Sequence, residues 1–498
     1  MKMRSWAAIA VGVLLCSAVN GQAPFALDPT FQTQIVLQYV SSALPLEDGT
    51  ILVSGRMRFA GETDDRFVAK LFSSGLRDTT FPQVPGGYID GGGKLTLWDG
   101  RFYVATNTAV RRYWLDGSID YSFIHPDLGP YFSSLQGGDY HVFPDGRLVM
   151  SGVHLLEDSI RGFMGYHNFI WFTNTGYLDT TRIHRWGDGA IFRFKELPDG
   201  KFICSGTNTT FEGQPVDRVF RLNPDGSLDD SFQSDVFWGE VYGYLPLDDG
   251  RIYVGGRVRR NASPSDTLRL VRFMPDGSLD PSFSIPDLTL ENMPDASGLG
   301  AMVRSIQPYP GNKIIVTGVF RAVNGQPRKG LCMLTESGDL LDVFHDQGVG
   351  TYTYQNITYG GVEGIRPYGD DQYLIWGNYH GYNDEELNAP QQKYVTRLHA
   401  GDLVTAVSTA EAIPSDLITL YPNPASAWVA INYDLLTGLD ERTWLRLKDA
   451  VGRELQSVQI KDTKGQVVLD TRVYGTGVYT LELVKGERVV QMERLVVQ

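Results

Sequence analysis

Five carboxylates, each upstream of a recurring turn, are the residues of this sequence with the clearest potential for chemistry. Several have glycine neighbours, and Arg304 takes the corresponding place in one further unit. A ring of carboxylates could hold Ca²⁺ or a cationic group, because that ion prefers hard oxygen ligands. Two carboxylates about 5–10 Å apart could instead hydrolyse a glycosidic bond. The same residues could equally be solvated loop acids. They are Asp90, Asp139, Asp188, Glu240 and Glu363.

Familiar catalytic and metal-binding motifs are missing from the sequence. We find no GxSxG elbow, no HExxH, no Walker loop and no Cys/His cluster at metal-ligand spacing. The eight histidines are scattered along the chain. The recurrent Asp-Gly-Ser-Leu-Asp segments lack the ligand spacing of an EF-hand loop, and aspartate is favoured there because its side chain caps a turn. Only the carboxylates above therefore remain as candidates, and their role depends on the elements that position them.

Those elements form an internal repeat. Seven related strings follow one another: LEDGTILVSG, LWDGRFYVAT, FPDGRLVMSG, LPDGKFICSG, LDDGRIYVGG, YPGNKIIVTG and YGDDQYLIWG. A second turn glycine follows in every unit, for example in VFRLNPDGSLDDSF and LVRFMPDGSLDPSF. An Asp-Gly hairpin needs positive φ, which glycine supplies without strain. Two hairpins per unit predict four antiparallel strands, which is the composition of a propeller blade.

The repeats also predict how the chain packs and closes. The strand after the first turn is apolar on both faces, as expected where a blade is covered by two neighbours. Cys204 and Cys332 fall in mostly apolar columns of the repeat, so we expect buried thiols rather than a disulfide. The segment APFALDPTF, with Asp28 and Phe31, is an unpaired copy of the repeat ending that the seventh unit lacks. We therefore expect it to become the outer strand of the last blade and to close the ring.

These motifs resemble the delta-60 repeat family. LPDGKFICSG and RLNPDGSLDDSF match its consensus closely, and the resemblance extends over about residues 23–404. It implies a β-propeller and no particular activity. The predicted fold is thus all-β, a seven-bladed β-propeller over residues 22–404.

The N-terminus has the pattern of a secretory signal peptide. Lys2 and Arg4 precede an apolar run from Trp6 to Ala18 that is too short to span a bilayer, which predicts a signal over residues 1–21. No other run predicts a transmembrane segment in the mature chain. The formal net charge is −14, which argues against a nucleic-acid partner and against docking on anionic lipid.

The C-terminal residues form a separate module. A polar linker over residues 405–416 precedes LITLYPNPASAWVAINYDL, and the chain ends in a predicted hairpin. This module resembles the type IX secretion C-terminal sorting domain, which implies a small immunoglobulin-like β-sandwich over residues 417–498 and the type IX secretion machinery as a partner. A carbohydrate-binding or immunoglobulin-like domain that stays with the protein is the alternative. The residues that carry the resemblance are Tyr421, Pro422, Asn423, Pro424, Gly452, Gly477 and Tyr479.

Two function classes remain open from the sequence. The first is a secreted or surface-displayed binding or adhesion module for a glycan or a protein. Several tyrosines of the seventh unit could stack on sugars in such a module, or could simply pack between strands. They are Tyr352, Tyr354, Tyr359, Tyr379 and Tyr382. The alternative is an extracellular propeller enzyme that acts on glycans through the carboxylate cluster. A purely structural surface component is a third possibility. The sequence indicates no cofactor apart from the Ca²⁺ considered above.

Overall fold

The computed structural model describes residues 25–84, 93–105, 110–124, 131–291, 293, 300–344, 348–382, 392–400, 418–435, 443–449, 453–485 and 488–498. It divides the chain into two compact units, Met1–Val404 and Thr405–Gln498. The predicted signal peptide and linker lie outside the described residues. Among the described residues, no helix has the length and hydropathy needed to cross a membrane.

The first unit consists of seven antiparallel three-stranded sheets, numbered here as blades 1 to 7 in chain order. The inner, middle and outer strands of blades 1 to 4 are Ile35–Pro45, Ile51–Phe59 and Arg66–Leu71; Leu95–Trp98, Arg101–Ala105 and Val110–Trp114; Phe132–Val142, Leu148–Asp158 and Phe163–Phe172; and Ile191–Glu196, Phe202–Gly206 and Val219–Leu222. Those of blades 5 to 7 are Val236–Pro246, Ile252–Arg260 and Ser263–Phe273; Met302–Tyr309, Lys313–Val319 and Leu331–Thr335; and Gly361–Tyr368, Gln372–His380 and Lys393–His399. The seven-bladed propeller predicted from the repeats is confirmed.

Three small sheets accompany the blades. Their strands are Thr210–Phe211 with Gln214–Pro215; Leu288–Thr289 with Ala322–Val323 and Gln326–Pro327; and Tyr352–Tyr354 with Ile357–Tyr359.

The expected fourth strand of each blade is reduced to a single bridge. Leu228, for example, pairs only with Leu222. The chain then turns away, because Oδ1 of Asp229 accepts hydrogen bonds from the backbone N–H and the hydroxyl of Ser231. The prediction of four full strands was therefore wrong, since the aspartate that follows the second turn ends the strand after one pairing.

The N-terminal segment closes the ring, as the sequence predicts. Leu27 bridges Leu398 in the outer strand of blade 7. The N–H of Phe25 donates to the carbonyl of His399 at 2.8 Å, and the N–H of Asp28 donates to the carbonyl of Arg397 at 3.0 Å. The seventh blade is thus built from both ends of the propeller sequence, which removes a free sheet edge.

The core lies between neighbouring blades. Every residue of the middle strand Phe202–Gly206 is buried, as expected for a strand covered on both faces. Between blades 5 and 6, Tyr253 and Leu270 pack in one cluster with Val303 and Val316. Cys204 and Cys332 are free and buried, which confirms their predicted packing role.

A buried Arg–Asp pair, which we call the rim clip, joins adjacent blades at the outer edge. In blade 4, Nε of Arg221 lies 2.6 Å from Oδ2 of Asp229. The same guanidinium donates to the hydroxyl of Ser231 at 3.1 Å and to the carbonyl of Pro275, in blade 5, at 2.7 Å. Desolvation would raise the pKa of Asp229, but hydrogen bonds from Lys201, Ser231 and Arg221 outweigh it, so the pKa is lowered.

The rim clip occurs in four of the seven blades among the described residues. Each arginine also donates to a carbonyl of the next blade around the ring and to the Ser or Thr that follows the aspartate. The motif Arg-Leu-x-x-Asp-Gly-Ser-Leu-Asp-x-Ser is therefore structural, and its last aspartate is committed to an arginine. The pairs are Arg112–Asp120, Arg221–Asp229, Arg272–Asp280 and Arg397–Asp28.

The second unit is a β-sandwich. One sheet contains Ile418–Tyr421, Trp428–Asp434 and Lys464–Asp470, and the other contains, in spatial order, Glu454–Gln459, Thr443–Lys448, Gly477–Lys485 and Arg488–Val497. A 3₁₀ turn, Thr471–Val473, follows the last strand of the first sheet. The two inner faces share one core, in which Ile431 and Leu469 pack with Leu445, Leu447 and Leu483.

Candidate ligand-binding channel

The inner strands of six blades carry a β-bulge at an equivalent position. In blade 6 the register breaks between Val303 and Ser305, which leaves Arg304 outside the ladder. Bulges redirect side chains and recur next to functional sites. The bulges of the other five blades contain Ser41, Gly138 with Asp139, Phe192, Tyr242 and Glu363.

A glycine of the middle strand makes each bulge possible. A Cβ on Gly318 would lie 2.2 Å from the carbonyl oxygen of Met302, and one on Gly377 would lie 2.3 Å from that of Gly361. Both contacts are far shorter than a real Cβ tolerates, so the bulged backbone fits only against glycine. This explains the glycine that ends six of the seven strings; the others are Gly55, Gly152, Gly206 and Gly256.

The inner strands surround a central channel of about 320 Å³. Side chains or backbone from every blade, or from the segment just before its inner strand, contribute to the wall. The wall includes bulge residues such as Asp139, Tyr242, Arg304 and Glu363. Its volume is at the lower end of the range for small-molecule pockets, about 300–1,000 Å³.

The channel wall is cationic although the protein as a whole is acidic. Two carboxylates face five cationic side chains there, whereas the whole chain has a formal net charge of −14. Blades 2, 4, 6 and 7 supply the cations, which therefore approach from several directions. They are Lys94, Arg193, Lys195, Arg304 and Arg366.

Both channel carboxylates have a cationic partner. Nζ of Lys94 lies 3.1 Å from Oδ1 of Asp139. Nε of Arg304 lies 3.5 Å from Oε1 of Glu363, and its guanidinium stacks 4.0 Å from the ring centroid of Tyr242. Desolvation would raise the pKa of Asp139, but Lys94 and other cationic neighbours outweigh it and lower the pKa. Neither carboxylate is therefore a free acid.

Two channel cations have no such partner. Within the described residues, Lys195 and Arg366 form no side-chain hydrogen bond and no ion pair; the guanidinium of Arg366 lies 5.9 Å from the Trp376 ring centroid. Desolvation lowers the pKa of Lys195, and the charge of Lys94 lowers it further. Desolvation also lowers the pKa of Arg366. The channel thus holds positive charge that the surrounding protein does not fully compensate.

The structure does not assemble the acidic ring expected from the sequence. Asp139 and Glu363 line the channel, but Glu240 is outside its lining, where its carboxylate lies 3.2 Å from Arg257 and accepts a hydrogen bond from Tyr242. Asp188 lies on an exposed loop and accepts hydrogen bonds from the backbone N–H groups of Thr209 and Thr210. Asp90 is outside the described residues. No group of three or more His, Cys, Asp and Glu side chains in the described part of the chain could hold a metal ion.

A constant spacing in the sequence identifies the channel residues that the acidic pattern missed. In six of the seven units, the position eight residues before the first turn residue falls on the bulge. Counted back from Gly49, Gly146, Gly200, Gly250, Asn312 and Asp371, these positions are Ser41, Gly138, Phe192, Tyr242, Arg304 and Glu363. Lys195 and Arg366 both lie five residues before that turn residue. Asp139 lies seven residues before its turn and belongs to the same bulge, whereas Asp188, at a spacing of twelve, is a loop residue.

The tyrosines of blade 7 serve mainly for packing. Tyr379 and Tyr382 are buried, and their hydroxyls donate to Thr396 and to the carbonyl of Phe25. Tyr352 stacks on His380 at a centroid distance of 3.9 Å. Tyr354 and Tyr359 belong to the small hairpin beside them, and Tyr354 is 40% exposed. A sugar-stacking platform is therefore not formed by this set as a whole.

In the C-terminal unit, the predicted sorting motif holds the last strand. Nδ2 of Asn423 donates to the carbonyl of Arg494 at 2.6 Å, and the N–H of Val496 donates to Oδ1 of Asn423 at 2.9 Å. Tyr421, which ends the first strand before Pro422 and Pro424, is exposed.

The second part of that motif surrounds the start of the Gly477–Lys485 strand. The hydroxyl of Tyr479 donates to the carbonyl of Gly475 at 2.6 Å, and Gly477 lies against the Tyr479 ring. Gly452 is outside the described residues.

Comparison with protein families assigns both units. Residues 46–81, 197–232 and 247–283 match the "Domain of unknown function (DUF5122) beta-propeller", and residues 419–498 match the "Secretion system C-terminal sorting domain". A search of curated proteins finds no match.

Solved structures with a similar chain path are distant in sequence. PorZ, a surface component of the type-IX secretion system of Porphyromonas gingivalis, is 14% identical with a TM-score of 0.34, covering 93% of this chain and 66% of that one. The extracellular domain of BT4673 from B. thetaiotaomicron is 14% identical with a TM-score of 0.34, covering 96% and 58%. The Pan2 WD40 domain of Neurospora crassa is 10% identical with a TM-score of 0.37, covering 76% and 98%. The chain therefore spans less than two thirds of the first two structures, and none of these likenesses identifies a ligand.

The sorting domain indicates where the protein is located, because its family directs proteins through the type IX secretion system to the outside of the cell. The chain carries DUF5122 β-propeller repeats followed by a type IX secretion C-terminal sorting domain, and it is a secreted or cell-surface protein.

Proposed function

We propose that the propeller is an extracellular binding module that receives its ligand in the central channel. The observation that carries this proposal is the repeated bulge, which points a different side chain into the channel from one blade to the next while the backbone around it stays the same. A rigid frame with variable inward side chains is how binding sites are commonly built.

An enzymatic role has no comparable support. Glycoside hydrolysis requires two carboxylates, one as acid and one as base or nucleophile. Both channel carboxylates, Asp139 and Glu363, are instead paired with cations. We therefore propose binding without turnover, and the type IX secretion machinery is the partner during export rather than the ligand.

A channel-filling variant tests the proposal. Ser41→Tyr places on the blade 1 bulge the residue that blade 5 carries as Tyr242, so the position is expected to tolerate it. The full chain, Ser41→Tyr and the surface control Ser265→Tyr would be immobilised and probed with a panel of glycans and extracellular proteins. We expect retention of at least one probe by the full chain and the control, with loss in Ser41→Tyr.

Two outcomes would contradict the proposal. Retention that is unchanged in Ser41→Tyr would move the binding surface away from the channel. Release of shortened glycans, followed by mass spectrometry, would make the protein an enzyme.

A further inference from the structure

We propose that the channel ligand is a small anion with several carboxylate, sulfate or phosphate groups, held by Lys195, Arg366 and their cationic neighbours. This inference rests on the proposed function and names the class of its ligand. The class of ligand depends on the charged side chains of the channel wall, whereas the proposed function depends only on the channel being the binding site.

Positive charge exceeds negative charge in the confined space of the channel. Five cationic and two anionic side chains face a channel of about 320 Å³. Like charges held close together repel, and the walls have a lower dielectric than water, so each uncompensated charge raises the energy of the empty channel. An oxyanion that enters offsets this repulsion directly.

The channel cations come from different blades of the propeller. Lys195 belongs to blade 4 and Arg366 to blade 7, and both line the same channel as Lys94, which precedes the inner strand of blade 2. Besides desolvation, the charges of Lys94 and Arg366 lower the pKa of Lys195, whereas those of Asp139 and Glu196 raise it. Cations from blades 2, 4 and 7 thus act on one volume from different sides. A single carboxylate would engage only one or two of them, whereas an anion with several charged groups can engage all three.

The two channel carboxylates pair with only some of the cations. Asp139 and Glu363 hold Lys94 and Arg304 in place through ion pairs of 3.1 and 3.5 Å. They leave Lys195 and Arg366 without a side-chain hydrogen bond or ion pair among the described residues. Because the protein carries a net charge of −14, the cationic channel is also a local exception that would draw anions away from the acidic surface.

Calorimetric titration of the full chain at low ionic strength tests this assignment. The anionic probes are inorganic sulfate, inorganic phosphate and tri-galacturonate, which separate free oxyanions from an acidic sugar. Maltotriose serves as the uncharged sugar of the same length, and CaCl₂ serves as the cationic probe. We expect binding of at least one anion, weakened by added salt, and none of maltotriose or CaCl₂.

Variants of opposite charge sharpen the result. Lys195→Gln with Arg366→Gln is expected to weaken anion binding by about tenfold or more, the effect of losing a charge-assisted hydrogen bond. Glu363→Gln removes an anion from the wall and is expected to tighten binding. Arg147→Gln, at an exposed turn away from the channel, is the matched control and is expected to leave affinity unchanged. Thermal unfolding of each variant verifies that it is folded.

Several outcomes of the titrations would overturn the anion assignment. No binding of any of the three anions, or binding that is indifferent to the Lys195→Gln and Arg366→Gln pair, would overturn the anion assignment. Maltotriose or CaCl₂ binding that is lost in Ser41→Tyr would also overturn it, while leaving the channel as the binding site.

Discussion

At the outer rim, several blades of this propeller carry the same side chains. At the channel, neighbouring blades share the same backbone bulge but carry different side chains on it. The rim clip repeats an arginine, an aspartate and a hydroxyl with nearly the same geometry, as in Arg221–Asp229 and Arg272–Asp280. The channel bulge repeats a break in register, yet it carries tyrosine in blade 5, arginine in blade 6 and glutamate in blade 7. Repetition of side chains therefore marks contacts that assemble the ring, and variation on a repeated backbone occurs where we propose that the ligand binds.

Acid should disrupt the rim more than any single substitution, because it acts on all four clips together. The aspartates of the clips have lowered pKa values in the folded protein, since hydrogen bonds from Ser or Thr and from arginine outweigh desolvation. A carboxyl group with a lowered folded pKa contributes stability above its unfolded pKa of about 3.9 and loses it as the pH falls further. We expect a nearly constant melting temperature from neutral pH to about pH 5 and a steep fall below about pH 4. A flat profile to pH 2 would show that the clips contribute little.

Loss of one clip should have the next largest effect. Asp280→Ala removes the carboxylate 2.6 Å from Nε of Arg272, whose side chain is only 2% exposed, and leaves the more distant Glu336 carboxylate, at 3.8 Å, as its anionic partner. Breaking a buried ion pair in this way costs about 3–5 kcal/mol. Urea unfolding measures the change, with Asp145→Ala as the control. Asp145 is exposed on a turn and pairs with Arg147, outside any clip, so we expect a loss of less than about 1 kcal/mol. Equal losses in the two variants would remove the distinction between rim and surface.

Addition of one methyl group opposite a bulge should have an intermediate effect. Gly318→Ala places Cβ 2.2 Å from the carbonyl oxygen of Met302, so the inner strand of blade 6 must shift. We expect a loss of about 1–3 kcal/mol in the free energy of unfolding, typical of overpacking. Gly325→Ala is the control, since open space surrounds its Cβ and only its positive φ is unfavourable. If Gly318→Ala unfolds no more easily than this control, the glycine is not what permits the bulge.

Neutralisation of channel charge should have the smallest effect on stability. Lys195→Gln and Glu363→Gln each change a partly accessible group, and such substitutions usually alter the free energy of unfolding by less than about 1 kcal/mol. Lys195→Gln should even be neutral or slightly stabilising, because it removes like-charge repulsion. A loss as large as that of Asp280→Ala, measured in the same urea titration, would place Lys195 among the structural residues.

The fold was readable from the sequence because its determinants are local and repeated. Two glycine turns per unit, an apolar middle strand and the orphan Asp28–Phe31 segment were sufficient for the blade number and for the closure of the ring. The fourth strand was overestimated because the capping interaction of Asp229 with Ser231 competes with sheet pairing over only a few residues.

The channel could be predicted only in part, because residue type alone does not distinguish a channel carboxylate from a loop carboxylate. Asp139 and Glu363 line it, but Glu240 and Asp188 do not. Lys195 and Arg366 share a position five residues before the turn, but nothing in the residue types themselves distinguishes them from surface cations. Their convergence depends on the radial arrangement of distant blades, which only the closed ring provides.

The pairing of Leu27 with Leu398 also sets an order of events. Leu27 and Leu398 are separated by almost the entire propeller sequence. Their pairing, which is the seam of the ring, can therefore form only after blade 7 has been made. A chain that emerges with its N-terminus first remains an open arc until then, with the channel unfinished and one sheet edge unprotected. The seam can thus close only after blade 7 has formed, and the proposed ligand, which needs cations from blades 2, 4 and 7, can be bound only by the closed ring.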